Sequence, residues 1–255
     1  MSIHFDTVGH GESVVWLHGW AMNGTVWQQV ANAMADDYCH HLVDLPGHGH
    51  SPALQPLTLD GMVAALAAAF PLPVHVVGWS LGGAVASTWA LRHPAQVRSL
   101  TLVASSPCFA QRDDWPGAMP ASTLAQFAAN LGDDWRGTLK RFISLQTLGS
   151  PTARELSKTL LSDLLQHGKP DPAALREGLD ILRDTDLRSD IGKLDLPMLL
   201  QYGDRDMLSP LAAAQWLAAQ QPQARLVVHH GAAHVPFLSH LDDFVAAQRR
   251  FIATV

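Results

Sequence analysis

Six short apolar runs are spread along the chain with helix-patterned stretches between them, and this alternation restricts the fold more than any other feature. Val14-Val15-Trp16-Leu17, His41-Leu42-Val43-Asp44, Val74-His75-Val76-Val77 and Leu100-Thr101-Leu102-Val103 read as buried strands. Met198-Leu199-Leu200-Gln201-Tyr202 and Leu226-Val227-Val228-His229 continue the series, with the last strand expected to reach His230. Runs that stay apolar instead of alternating suit a parallel sheet covered on both faces. Between them, Leu81, Ala84, Val85, Thr88 and Trp89 keep one face of a helix until Pro94 stops it. The expectation is an α/β protein with a mostly parallel, doubly wound sheet. Gly9 and Gly11 mark a turn, so the residues before Val14 are expected to add an antiparallel edge hairpin.

The rhythm stops after Val103. From Phe109 to Leu187 there is no strand-like run, only helical stretches broken by Pro116, Pro120, Gly132, Gly149, Pro151 and Gly168. The strand pattern resumes at Leu196-Pro197-Met198. The expected division is a core of residues 1–108 and 188–255 with a helical insertion at 109–187. An insertion between two parallel strands lies over their carboxyl ends, where ligands bind in open α/β sheets, and so reads as a lid.

At 255 residues, 47% hydrophobic and 16% charged, the chain has the composition of a packed globular protein and not of a disordered one. A formal charge of −6 argues against nucleic acid as a partner, because such binding rests on neutralising phosphates. Cys39 and Cys108 are too few for a disulfide framework. Met1-Ser2-Ile3-His4-Phe5-Asp6 has neither the basic flank nor the apolar run of a signal peptide. No apolar stretch approaches the ~20 residues of a membrane span. A cytoplasmic monomer that does not engage membranes is the expectation.

Gly78-Trp79-Ser80-Leu81-Gly82 joins a strand pattern to a helix pattern and resembles the G-x-S-x-G nucleophile elbow of the α/β-hydrolase fold. A serine on so tight a turn projects its hydroxyl, and glycines two residues to either side let strand and helix backbones approach. The next amide, at Leu81, opens a helix, where a free N–H can stabilise an oxyanion. Chain order in this fold runs serine, acid, histidine. Of fourteen histidines, His234 lies in the loop after the last strand and is expected to be the base. His40-His41 and His48/His50 lack the cysteine or carboxylate spacing of a metal site, so no metal is expected. The acid belongs on the loop after the preceding strand, where Asp204 and Asp206 both stand; the family pattern G-x-x-D falls on Asp206, with Asp204 as the alternative. Leu17-His18-Gly19-Trp20 resembles the His-Gly-X oxyanion loop, which implies the Trp20 N–H as second donor and His18 as a brace. Asp44-Leu45-Pro46-Gly47-His48-Gly49-His50-Ser51 resembles a further loop signature of the fold and reads as structural.

The likeness extends beyond the fold. Leu17 to Trp20, Gly78 to Gly83 and Val103-Ala104-Ser105-Ser106-Pro107-Cys108-Phe109 are similar to the pimeloyl-[acyl-carrier protein] methyl ester esterase family of biotin synthesis. So, within the insertion, are Asp114-Trp115-Pro116-Gly117, Arg141-Phe142, Leu145-Gln146-Thr147 and Thr152-Ala153-Arg154. Gly178-Leu179, Ile181-Leu182 and Asp186-Leu187-Arg188 follow. Lids diverge fastest in this superfamily, so the matches inside the insertion are the specific ones. The resemblance implies a carboxylic ester hydrolase that works without a cofactor. It releases methanol and a free carboxylate from the carrier-linked methyl ester through an acyl-enzyme on Ser80. It also implies substrate contacts at Trp20, Ser80, Leu81 and His234, and at Phe142, Ile143, Ser144, Leu145 and Gln146 along an acyl channel.

An acidic acyl-carrier protein would meet basic residues. Arg136, Lys140, Arg141, Arg154, Lys158 and Lys169 stand against Glu155 and Asp163, a local excess of +4 (six minus two) in a chain of −6. Arg141, Arg154 and Lys158 are the expected docking residues. The family's first basic position in this stretch falls on Gly137, a departure flanked by Arg136 and Lys140. A broad carboxylesterase or a lidded C–C bond hydrolase would share the triad without using a carrier, and a ligand receptor could share the fold alone.

Overall fold

Why the strand segments stay apolar throughout is visible along β2 (Glu12–Leu17) of the computed structural model, which describes residues 2–255. Val14 and Trp16 enter one core cluster while Val15 and Leu17 enter the other, on the opposite face of the sheet. Each such side chain contributes roughly 1.5–3 kcal/mol by leaving water.

The chain begins with β1 (His4–Gly9), β2, α1 (Gln28–Met34), β3 (Tyr38–Asp44) and α2 (Leu59–Ala69). Next come β4 (Val74–Trp79), α3 (Leu81–Arg92) and β5 (Val97–Val103). Four helices follow without an intervening strand: α4 (Ala121–Asp133), α5 (Trp135–Thr147), α6 (Ala153–Leu164) and α7 (Pro172–Asp184). The sheet is then completed by β6 (Met198–Gly203), α8 (Leu211–Gln220) and β7 (Arg225–His229), and α9 (Pro236–Ser239) and α10 (Leu241–Ile252) end the chain.

The strand order is β1-β3-β2-β4-β5-β6-β7, and every pairing except β1 with β3 is parallel. The expected edge strand is present but the hairpin is not. β1 pairs with β3, placing His4 opposite Asp44, because β2 is already flanked by β3 and β4. The turn at Gly9 and Gly11 therefore links two strands that are not neighbours. Both glycines have positive φ, and a Cβ on Gly9 would lie 2.3 Å from the Tyr38 carbonyl oxygen. At the other edge β7 ends at His229, so His230 lies in the turn and not on the strand.

The four helices between β5 and β6 leave and rejoin the sheet at one neck. Cys108 and Asp186 form a single antiparallel bridge there, and the Leu187 N–H donates to the Pro107 carbonyl at 2.8 Å. The helices are amphipathic: Leu156, Leu160 and Leu164 of α6 recur every fourth residue and are buried. Asp171 caps α7, its carboxylate accepting from the Ala173 and Ala174 N–H groups, and Pro172 fills the first helical position. Cys39 and Cys108 are both free. Among the described residues no helix is long and apolar enough to cross a membrane.

Candidate active site

Ser80 lies between β4 and α3 with φ 56° and ψ −118°, a backbone conformation that a serine adopts only when its surroundings enforce it. Its N–H donates to the Val103 carbonyl at 3.1 Å. Its own carbonyl accepts from the Gly83 N–H at 2.9 Å and from Ser105 Oγ at 2.9 Å. The Tyr202 hydroxyl donates to the Ser105 carbonyl and steadies that support from β6. The flanking glycines are a packing requirement. A Cβ on Gly78 would lie 2.3 Å from the Gly82 carbonyl oxygen, and one on Gly82 would lie 2.4 Å from that of Leu17.

His234 stands in the loop after β7, held at three points. Its N–H donates to the Gln146 carbonyl of α5 at 3.0 Å, its carbonyl accepts from Trp79 Nε1 at 2.9 Å, and its Nδ1 lies 2.8 Å from Asp206 Oδ2. An ionised carboxylate only accepts, so Nδ1 carries the proton and Nε2 keeps its lone pair. Nε2 is buried and has no hydrogen-bond partner among the described residues. The other oxygen of Asp206 accepts from the Leu208 and Ser209 N–H groups at 2.8 and 3.0 Å. Asp204 is engaged elsewhere: its Oδ2 lies 2.9 Å from His230 Nδ1 and its Oδ1 accepts from the Gly231 N–H at 2.7 Å. Those two hydrogen bonds hold the Asp204 carboxyl below the usual carboxylate range. Asp204 thus braces the turn that leads to His234, and Asp206 carries the imidazole.

The two residues expected to supply oxyanion donors lie on segments that adjoin Ser80. Leu81 is the first residue of α3, where helix geometry leaves the N–H without an intrahelical partner. Trp20 lies in the loop after β2. That loop approaches closely because residue 19 is glycine, whose added Cβ would meet the Trp79 ring at 3.1 Å and Ser80 Cβ at 3.3 Å. His18 braces the loop as its motif suggested, donating from Nδ1 to the Gly19 carbonyl at 2.7 Å and accepting from the Leu45 N–H at 3.0 Å. Burial pushes its pKa down to about 3, so it stays neutral. Asp44 holds the neighbouring turn, accepting from the Gly24 and His50 N–H groups at 2.7 and 2.8 Å.

The Trp20 indole packs edge-on against Phe142, with ring centres 4.7 Å apart, and Phe142 in turn meets Phe127. Trp20 Nε1 donates to the Leu175 carbonyl of α7 at 2.8 Å. Phe142, Ile143 and Gln146 are buried and Leu145 is half-buried. Ser144 departs from the expectation that it lines the same channel. It is exposed, and its hydroxyl donates back to the Lys140 carbonyl at 2.9 Å. On a helix, 142, 143 and 146 share a face that 144 cannot join. Ser80 is 4% and His234 1% exposed, so both are buried, and α5 reaches the histidine through the Gln146 carbonyl. A separate apolar cleft of about 220 Å³ between Trp115 and Trp216 includes neither residue.

Arg141 on α5 and Arg154 and Lys158 on α6 are exposed, and none makes an ion pair among the described residues. Gly137 fits its place: its N–H donates to the capping carboxylate of Asp134 at 2.9 Å, and a Cβ there would lie 2.0 Å from that carboxylate. Sequence reasoning missed two supports of His234, the Gln146 carbonyl and the Trp79 indole. Both lie inside quoted motifs, but nothing in a motif says which atom faces the histidine.

Fold and site together define an α/β hydrolase, and the model of the alpha/beta hydrolase fold family matches residues 12–241. Solved structures agree on the fold. An esterase from Exiguobacterium antarcticum superposes with a TM-score of 0.90 at 24% identity, covering 98% of this chain and 95% of its own. Esterase RhEst1 from Rhodococcus superposes with a TM-score of 0.80 at 25% identity, covering 99% of each. Sequence relatives are more specific. The pimeloyl-[acyl-carrier protein] methyl ester esterase of Chromobacterium violaceum is 44% identical over 254 residues, covering 100% of this chain and 99% of the relative. That of Nitrosomonas europaea is 43% identical over 245 residues, covering 96% and 97%. Within the α/β hydrolases, the chain belongs to the pimeloyl-[acyl-carrier protein] methyl ester esterase family.

Proposed function

We propose that this chain hydrolyses the methyl ester of pimeloyl-[acyl-carrier protein], with Ser80 as nucleophile, His234 as base and Asp206 as the carboxylate that orients it. The observation that carries the reading is the unpartnered, buried Nε2 of His234, whose opposite nitrogen is fixed on Asp206, in a chain of this family. Ser80 Oγ attacks the ester carbonyl carbon as its proton passes to His234 Nε2. The resulting oxyanion is met by the Leu81 and Trp20 N–H groups. The tetrahedral adduct collapses by breaking the bond to the methoxy oxygen, which takes the proton from His234 and leaves as methanol. Water then attacks the acyl-Ser80 ester with His234 again as base, and collapse returns Ser80 and the free carboxylate. The Asp206 charge stabilises the imidazolium in both halves.

The insertion acts as a lid. The acyl chain runs along the apolar surface of Trp20, Phe142, Ile143 and Leu145, while Arg141, Arg154 and Lys158 face the acidic carrier. Closure over Ser80 excludes bulk water and strengthens the electrostatic interactions inside. The test is a comparison of kcat/KM for the carrier-linked methyl ester with that for a p-nitrophenyl ester. A preference of about a hundredfold or more for the carrier-linked substrate supports the reading. Equal efficiency on both would favour a broad carboxylesterase.

A further inference from the structure

Far apart in sequence, His4, Asp44, His50 and His167 converge at the edge of the sheet, where one ligand atom from each lies within 4.8 Å of the others. His4 comes from β1, Asp44 ends β3, His50 lies in the turn that follows, and His167 lies in the connection between α6 and α7. We propose that these four residues bind one borderline divalent transition-metal ion, of which zinc is the type, and that the ion ties the α6–α7 connection to the sheet.

The donor set suits that class of ion. Three imidazoles and one carboxylate are nitrogen and oxygen ligands of the kind that hold zinc, cobalt and nickel in fourfold sites, whereas magnesium and calcium prefer oxygen alone. Spacing supports the assignment. In a tetrahedral site with metal–nitrogen bonds of about 2.0–2.1 Å, ligand atoms stand roughly 3.3 Å apart. His4 Nε2 and His50 Nδ1 are 3.4 Å apart, and His167 Nδ1 and Asp44 Oδ2 are 2.9 Å apart. The longest separation in the group must close by no more than about 1.5 Å.

The surroundings supply negative charge and a fixed anchor. Asp6 places its carboxylate oxygens 3.6 Å from His4 Nε2 and 3.6 Å from His167 Nε2. Asp44 is fully buried. The Gly24 and His50 N–H groups fix its carboxylate in place at 2.7 and 2.8 Å. The rings of His50 and His167 are stacked with centres 4.3 Å apart, and those of His4 and His50 meet edge-on at 4.8 Å. A packed group of imidazoles beside two carboxylates offers a cation ligands that the fold has already gathered. The spacing of His48 and His50 in sequence gave no hint of it, because each of the other ligands is more than five residues from His50 along the chain.

The test uses full-length, tag-free protein stripped with a chelator, since a terminal tag would add histidines beside His4. Calorimetric titration with Zn²⁺ at pH 7.5 should give one equivalent bound with micromolar or tighter affinity, and Co²⁺ should give the intense visible absorption of a tetrahedral site. Saturating Zn²⁺ should raise Tm, and Mg²⁺ at the same concentration should not. His50→Ala and His167→Ala should each weaken binding by about tenfold or more and abolish the Co²⁺ band, while exposed His10→Ala should leave both unchanged. Turnover of a p-nitrophenyl ester by His50→Ala should stay at the parent level. Absence of stoichiometric binding would overturn the proposal. So would binding that survives both variants, which would assign the ion to other surface histidines, or a Tm that responds to pH and not to metal.

Discussion

His234 Nδ1 is paired with Asp206 Oδ2 at 2.8 Å, whereas Asp204, two residues earlier, is paired with His230 at the same turn. The two carboxylates therefore do different work. Asp206→Ala removes the group that fixes the imidazole tautomer and should lower kcat by about 10³–10⁴-fold. Asp204→Ala only loosens the turn at His230 and Gly231 and should cost less than about tenfold. Steady-state kinetics on a p-nitrophenyl ester compares them. Inactivity of the Asp204 variant with an active Asp206 variant would reverse the assignment.

That distinction marks how far the sequence could be read. The strand positions and the serine elbow were legible because each is local: apolar runs report burial, and G-x-S-x-G reports a backbone turn that only glycines allow. The choice between Asp204 and Asp206 rested on family pattern, since both stand on the correct loop and only side-chain direction separates them. The expected edge hairpin is absent for a related reason. Gly9 and Gly11 announce a turn, but which strand β1 joins is decided by β3 and β4 already flanking β2. Ser144 sits between Phe142 and Gln146 in sequence, but helical periodicity sets it on the outer face. The grouping of His4, Asp44, His50 and His167 is a property of the tertiary fold alone.

Carrier docking is tested by charge reversal. Arg141→Glu, Arg154→Glu and Lys158→Glu together should raise KM for the carrier-linked ester by about ten- to a hundredfold, with the wild-type preference weakening as salt is added. Hydrolysis of a small ester should be nearly unchanged, because Ser80, His234 and the oxyanion donors are untouched. Equal loss on both substrates would mean a damaged lid.

Gly178 on α7 leaves room for the indole of Trp20. A Cβ at that position would lie 2.8 Å from Trp20 Cδ1. Gly178→Ala should displace the indole from the Leu175 carbonyl and from Phe142, raising KM for long acyl esters several-fold more than for acetyl esters. A length-independent effect would remove Trp20 from the acyl channel.

Two sets of buried groups should tilt stability in opposite directions as pH changes between about 4 and 6.5. Burial pushes His18 down to about 3 and His75 and His229 to about 4, so each binds a proton more readily when unfolded. Their contribution is fully present above about pH 6.5 and is lost as pH falls toward those lowered values, each by up to ~1.4 kcal/mol per pH unit. Asp163 behaves inversely. Burial raises it to about 6, so its contribution is present below the unfolded value near 3.8 and is lost as pH rises through 6. Asp163→Asn should therefore raise Tm at pH 8 and change it little at pH 4.5. Thermal melts across pH 4.5–8 check both limbs, and a variant with the same Tm gain at each pH would show that Asp163 is not ionising.

The central claim is that Ser80 carries out the ester cleavage. Purified wild-type protein and Ser80→Ala, matched by circular dichroism, should be given pimeloyl-[acyl-carrier protein] methyl ester and assayed for methanol. Wild type should release one methanol per carrier and leave a free carboxylate, with Ser80→Ala slower by about 10⁴-fold or more. Methanol release by Ser80→Ala near the wild-type rate would contradict the account.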